Sequence, residues 1–148
     1  MAGALLDPAY ATCADAVWFG AEQGRVHAAA NRTWPRALGT TPWGVASAIN
    51  AHSARHHVRY GWRLVRPRDG LADVTRAARA RWPVAMVIGN AIPRHWVLIV
   101  GCDGAAYDCY EPSSGAVVTV SRAAVRDGHL SALGFPRALA FVLPRHRV

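Results

Sequence analysis

The sequence predicts an α+β domain, with helices in the first third and a mostly antiparallel sheet packed against them. Three observations carry this. The opening third is rich in alanine and holds two helix-start signals. From position 58 the apolar residues switch to strict alternation. From Pro83 onward, strand-like runs dominate, interrupted by one short helix. At 148 residues the chain is long enough for one domain, spanning 1–148, with a substantial core.

Taken in order, Asp7-Pro8 reads as an N-cap followed by proline in the first helical turn. An alanine-rich helical stretch follows, interrupted at Gly20 and Gly24, and Trp34-Pro35 breaks it. Thr41-Pro42 is a second N-cap and proline start, leading into WGVASAINAH. Val58, Tyr60, Trp62 and Leu64 alternate with polar residues or glycine and predict a strand. GLADVTRAARARW (70–82) returns to helix, with Leu71, Val74, Ala78 and Trp82 on one stripe and Pro83 as its stop. PVAMVIG predicts a buried strand and WVLIVG (96–101) another. AVVTVSR, a short helix near 121–132 and the strand RALAFVLP complete the chain.

Composition narrows the function classes. With 52% hydrophobic and 18% charged residues the chain is a folded protein, not a disordered one. The net charge is +8 and all 17 basic residues are arginine, which together with abundant alanine reads as the codon bias of a GC-rich genome. The arginines spread over the whole chain, whereas a nucleic-acid footprint clusters them with exposed aromatics. Polyanion binding stays open because charge alone permits it. The N-terminus has no basic n-region, no stretch is long enough to span a bilayer, and the default compartment is the cytoplasm. Three cysteines, Cys13, Cys102 and Cys109, fit no disulfide framework.

The stretch PRHWVLIVGCDGAAYDCYEPSSG is the most informative. Asp103-Gly104 is a strong turn signal. Folding the chain back there brings His95 and Glu111 to the same end of neighbouring strands. Their side chains share a face only if the connection holds an odd number of residues, since faces alternate. A three-residue loop with a glycine bulge meets that condition and a two-residue turn does not. A carboxylate beside an imidazole fixes its tautomer and stabilises the imidazolium, which equips the ring to take a proton from a nucleophile. Asp108 is a second carboxylate, on the opposite strand face and farther from the histidine.

WPVAMVIG, RHWVLIVG and YDCYEPSSG together resemble the second half of papain-like peptidases of the C39-like group, over roughly residues 58–122. In that group the histidine opens a strand and an Asp-Pro-x-x-Gly turn follows about sixteen positions later; here 111 − 95 = 16. Glu111 replaces the usual aspartate and is one methylene longer. The resemblance implies a papain-like fold, a peptide or protein substrate, no cofactor and no metal. It implies His95 as general base and acid, Glu111 as its orienting group, and a cysteine at the start of a buried helix as nucleophile.

Cys13 is the sole cysteine in the helical half. Thr12-Cys13-Ala14-Asp15 loosely fits a capping box, which puts the thiol in the first helical position. Against it, Asp7-Pro8 starts the helix equally well, Ala14-Asp15 replaces the Gly-Pro expected after the nucleophile, and no glutamine lies upstream for an oxyanion hole. ALLDPAYA and VHAAANRTWPRALGTTPWGVASAIN further resemble the interior of a larger actinobacterial C39-like group whose Cys-Gly lies upstream of DPAY. That implies a chain truncated or degenerate at its nucleophile end. The expected function is a C39-like cysteine-peptidase domain lacking its nucleophile, or an inactive peptide-binding module on the same fold.

Other constellations carry less. His52 and His56 have metal-ligand spacing, with His57 beside them, but no cysteine or carboxylate lies close by in sequence, and an exposed helix end explains them. Ser113 and Ser114 lie in a turn without a nucleophile elbow. Cys102 and Cys109 flank the hairpin turn and read as packing residues.

Overall fold

A computed structural model describes residues 40–145, together with positions 2, 6, 21, 24, 25 and 28, and these six are helical. Cys13, Asp7-Pro8 and Trp34-Pro35 lie outside the described residues. The class is α+β, as expected. Among the described residues six strands form one sheet in the order β1-β6-β2-β3-β4-β5, and every neighbouring pair is antiparallel. The elements are α1 (Pro42–Ser53), a 3₁₀ turn (Ala54–His56), β1 (Arg59–Leu64), α2 (Ala72–Arg79), β2 (Val84–Gly89), β3 (Pro93–Cys102), β4 (Ala106–Glu111), β5 (Ala116–Ser121), α3 (Arg122–Asp127), a 3₁₀ turn (Ser131–Leu133) and β6 (Arg137–Arg145).

Local chemistry explains the helix ends. Thr41 caps α1, its hydroxyl accepting the Gly44 amide at 3.2 Å, and Pro42 occupies a position that needs no donor. The stripe over 70–82 yields a shorter helix than its pattern suggests. Leu71 stands before it at φ 53, and Arg81 turns left-handed after it at φ 59. The amides of Arg81 and Trp82 then close back on Ala78 and Ala77, at 3.1 and 2.9 Å, a Schellman ending made without glycine. Trp82 is thereby released from the helix before Pro83 is reached.

The sheet is covered on both faces. Val84, Met86, Ile88, Val97, Ile99, Tyr107, Cys109 and Phe141 point to one side and pack against α2, α3 and the turn at 131–133. Ala85, Leu98 and Val142 point to the other and pack against α1 and Leu6. β2 is buried at all six positions, which is why it reads as an unbroken apolar run. β1 alternates as predicted, but of Tyr60, Trp62 and Leu64 only Tyr60 is buried. Its Trp62 meets Trp43 at 6.0 Å instead. On the other side of β1, Arg63 lies over the Phe141 ring at 5.1 Å and reaches Asp69 and Asp73 at 2.5 and 2.6 Å. Burial alone would raise both carboxyls, but the bonds to Arg63 hold them below their ordinary range.

Among the described residues no helix is long and apolar enough to cross a membrane.

Phe141 fills the centre of the larger core with no exposed surface and also carries Arg63. Phe141→Ala is expected to lower the free energy of unfolding by about 3–5 kcal/mol in a urea titration. Val117→Ala, on the exposed face of the edge strand β5, is expected to stay within about 0.5 kcal/mol of wild type.

Candidate functional site

His95 and Glu111 meet. The imidazole Nε2 lies 2.6 Å from the carboxylate Oε1. Three residues, Asp103 to Ala105, separate β3 from β4, and Gly104 sits at φ 105. The pair nearest the turn is nevertheless Cys102 with Tyr107, which encloses four residues. In a straight ladder that even count would set His95 and Glu111 on opposite faces. The register shifts between Ile99 and Gly101, where Val100 is an extra residue in β3. Beyond it Ile99 pairs with Cys109 and Leu98 with Tyr110. The ladder then sets Glu111 across from Val97, on the face that His95 shares.

His95 follows Val97 and Ile99 onto the face covered by α2, α3 and the 131–133 turn, while α1 packs on the opposite side. The dyad opens into a shallow depression of about 420 Å³ that Ser113, Ser114, Val118, Leu133 and Phe135 help to line. The Phe135 ring stands 6.4 Å from the imidazole, tilted by 31°.

Glu111 is held from both sides. The Ser113 amide donates to Oε1 at 2.9 Å and the Ser114 amide to Oε2 at 2.7 Å. The Gly115 amide closes the turn on the Glu111 carbonyl at 2.8 Å. The Ser113 amide does most to lower the carboxyl pKa to about 2, Ser114 adds to it, and His95 contributes less. The carboxylate is therefore an ionised acceptor at any physiological pH, so Nε2 carries the ring proton and donates it. In the neutral form of the ring Nδ1 then keeps its lone pair, and it has no hydrogen-bond partner among the described residues. The side chains of His95 and Glu111 are 24% and 14% exposed, so the pair is shielded but reachable. An imidazole in this tautomer accepts a proton at Nδ1, and the fixed carboxylate stabilises the imidazolium that results.

The remaining candidates separate from this pair. Asp108 faces away, accepting the Thr119 hydroxyl at 2.9 Å. Cys109 is fully buried two residues before Glu111, and burial pushes its thiol up to about 12. Cys102 lies at the other end of β3, its sulfur accepting the Gly104 amide at 3.1 Å. Both are free thiols, packed as the sequence suggests. His56 is spoken for by the Leu6 carbonyl, 2.6 Å from Nε2, and by the edge of Trp82. No group of three metal-binding side chains forms among the described residues. Cys13 lies outside them. Sequence reasoning missed the wall built by Leu133 and Phe135, which nothing in the local pattern connects to His95. It also missed the share of Glu111's hydrogen bonding taken by its own turn, which Glu-Pro-Ser-Ser-Gly does signal. No protein-family model and no curated protein matches this chain.

The Ser113-Ser114 turn, not the histidine, is the main hold on Glu111. A carbon-detected NMR titration is expected to place its carboxyl midpoint near 2, and still well below the ordinary value of about 4.3 in His95→Ala. Because the folded value is depressed, the stabilisation is fully present above the unfolded value. It is lost as pH falls from there through about 2. A midpoint that returned to the ordinary value in His95→Ala would contradict this.

Proposed function

We propose that this chain carries the imidazole–carboxylate part of a C39-like cysteine-peptidase centre on a papain-like domain. We further propose that it does not complete the centre with a thiol of its own. The observation behind the reading is the 2.6 Å contact of His95 Nε2 with Glu111 Oε1, which leaves Nδ1 open. In a completed centre a thiolate would attack a peptide or isopeptide carbonyl. His95 would take the thiol proton at Nδ1 and return it to the leaving amine, and Glu111 would hold the ring. Two findings favour an incomplete centre. Cys109 is buried with a raised pKa, and Cys102 sits at the far end of β3, roughly 20 Å from His95 along the strand. For Cys13 the argument comes from sequence. If Asp7 caps the first helix, the sulfur lies roughly 9 Å along its axis, beyond the dipole of the first turn.

A second reading is a peptide-binding module that keeps the fold without the chemistry. The apolar wall of Val118, Leu133 and Phe135 beside the dyad favours it, since it offers a side-chain subsite whether or not a nucleophile is present.

The rate of Cys13 alkylation by iodoacetamide at a pH of about 6, where an ordinary thiol is almost wholly protonated, separates active from inactive. Slow labelling of equal rate in wild type and His95→Ala is the expected result. Fast labelling that collapses in His95→Ala would reveal a thiolate–imidazolium pair and a working enzyme, and the incomplete-centre reading would fall.

A further inference from the structure

At the other end of β3, on the same sheet face, lies a second concavity that shares no residue with the dyad. Its volume is about 580 Å³, within the range of roughly 300–1,000 Å³ usual for small-ligand sites. Arg76 and Arg79 of α2 and Arg122 at the start of α3 line it, with Thr75 beside them and Gly70 and Ala72 at its edge.

The arginines have been left without carboxylates by identifiable local events. Asp73 stands three residues before Arg76 on α2, in position to pair with it, but both its oxygens are taken by Arg63 at 2.6 Å. Asp69, the next carboxylate in sequence, is also bonded to Arg63. Asp103 lies near enough to Arg79 to feel its charge, yet its Oδ1 is occupied by the Ala105 and Ala106 amides, both at 2.8 Å, and it makes no ion pair with Arg79. Arg126, on the same short helix as Arg122, is bonded to Asp127. The side chains of Arg76, Arg79 and Arg122 thus have no hydrogen-bond or ion-pair partner among the described residues, and all three are exposed.

Gly104 contributes to the arrangement. It sits at φ 105 in the β3–β4 turn, and a Cβ there would fall on the Arg79 guanidinium. The turn thus lets Arg79 lie against the backbone. Thr75 is anchored by a 2.7 Å bond to the buried Tyr107 hydroxyl, which fixes the floor.

We propose that this cleft binds a small phosphoryl anion of the pyrophosphate type. Three guanidinium forks around one hollow repel one another when empty, and a multiply charged tetrahedral anion relieves that repulsion while accepting paired N–H bonds. A monocarboxylate neutralises only one of the three charges. No aromatic side chain lines the cleft, so it lacks the stacking platform that single-stranded nucleic acid uses.

The test is calorimetric titration of the full chain with inorganic pyrophosphate at an ionic strength of about 0.01 M, where screening is weak. Saturable binding at one site is expected in wild type. It should weaken at least about tenfold in Arg76→Gln/Arg79→Gln and move the same way in Arg122→Gln. Arg59→Gln/Arg94→Gln removes two exposed arginines outside the cleft and should leave binding unchanged. Pyrophosphate should also raise the thermal midpoint of wild type but not of Arg76→Gln/Arg79→Gln, a comparison that also reports whether each variant folds. Absence of saturable heat in wild type would overturn the proposal. So would equal weakening in the control variant, which marks diffuse charge. A third overturning result is a single-stranded oligonucleotide outcompeting pyrophosphate and losing affinity equally in every variant, which marks a general polyanion surface. None of these results bears on the His95–Glu111 centre.

Discussion

A β-strand turns its side chains over at every residue, so a single inserted residue exchanges the two faces for everything beyond it. In this protein that residue is Val100. Ile99 and Cys102 are three apart, yet both belong to the core beneath α2 and α3. Only an extra residue between them makes that possible. The same shift carries His95 onto the face of Glu111. Remove it and the histidine would keep its β2 partner Ile88, while β4 and its glutamate would turn toward the α1 layer. The bulge thus reconciles two demands on one strand. β3 must present Val97 and Ile99 to the core, and its turn must close through Asp103-Gly104.

Glu111 shows how a side chain is pre-positioned at little cost to flexibility. Its carboxylate caps the amides of the two serines that follow it, so the turn fixes the oxygens before any imidazole arrives. The charge is secured chiefly by the Ser113 backbone amide and by Ser114, and these donors do not titrate. Glutamate in place of aspartate fits this arrangement. The extra methylene lets the carboxylate fold back over its own turn while Oε1 still touches Nε2 of the ring.

Much of this was legible in the sequence where the determinant is local. Thr41-Pro42 capped α1, the apolar run of β2 proved buried throughout, and the hairpin was placed from Asp103-Gly104. What failed to show was set by distant partners. The bulge at Val100 answers to how β4 pairs, and no glycine or proline marks it. α2 ends at Arg79 because Arg81 takes a left-handed conformation that its identity does not advertise. The face chosen by the dyad depends on the whole β2-β3-β4 register. The wall at Leu133 and Phe135 reaches the dyad only after the chain has passed through β5 and α3.

That wall also constrains any chemistry at the imidazole. Nε2 is closed off by Glu111, and Glu111 by the Ser113-Ser114 turn. Phe135 stands alongside the ring and Ile88 lies across from His95 on β2. α1 packs behind the sheet, separated from the ring by the sheet itself. A nucleophile or a substrate group that used this histidine has to come from the depression side and meet Nδ1. Any group that reaches the free ring nitrogen is thus restricted to the depression side of the sheet. The direction is fixed by strand parity, and strand parity is fixed by Val100.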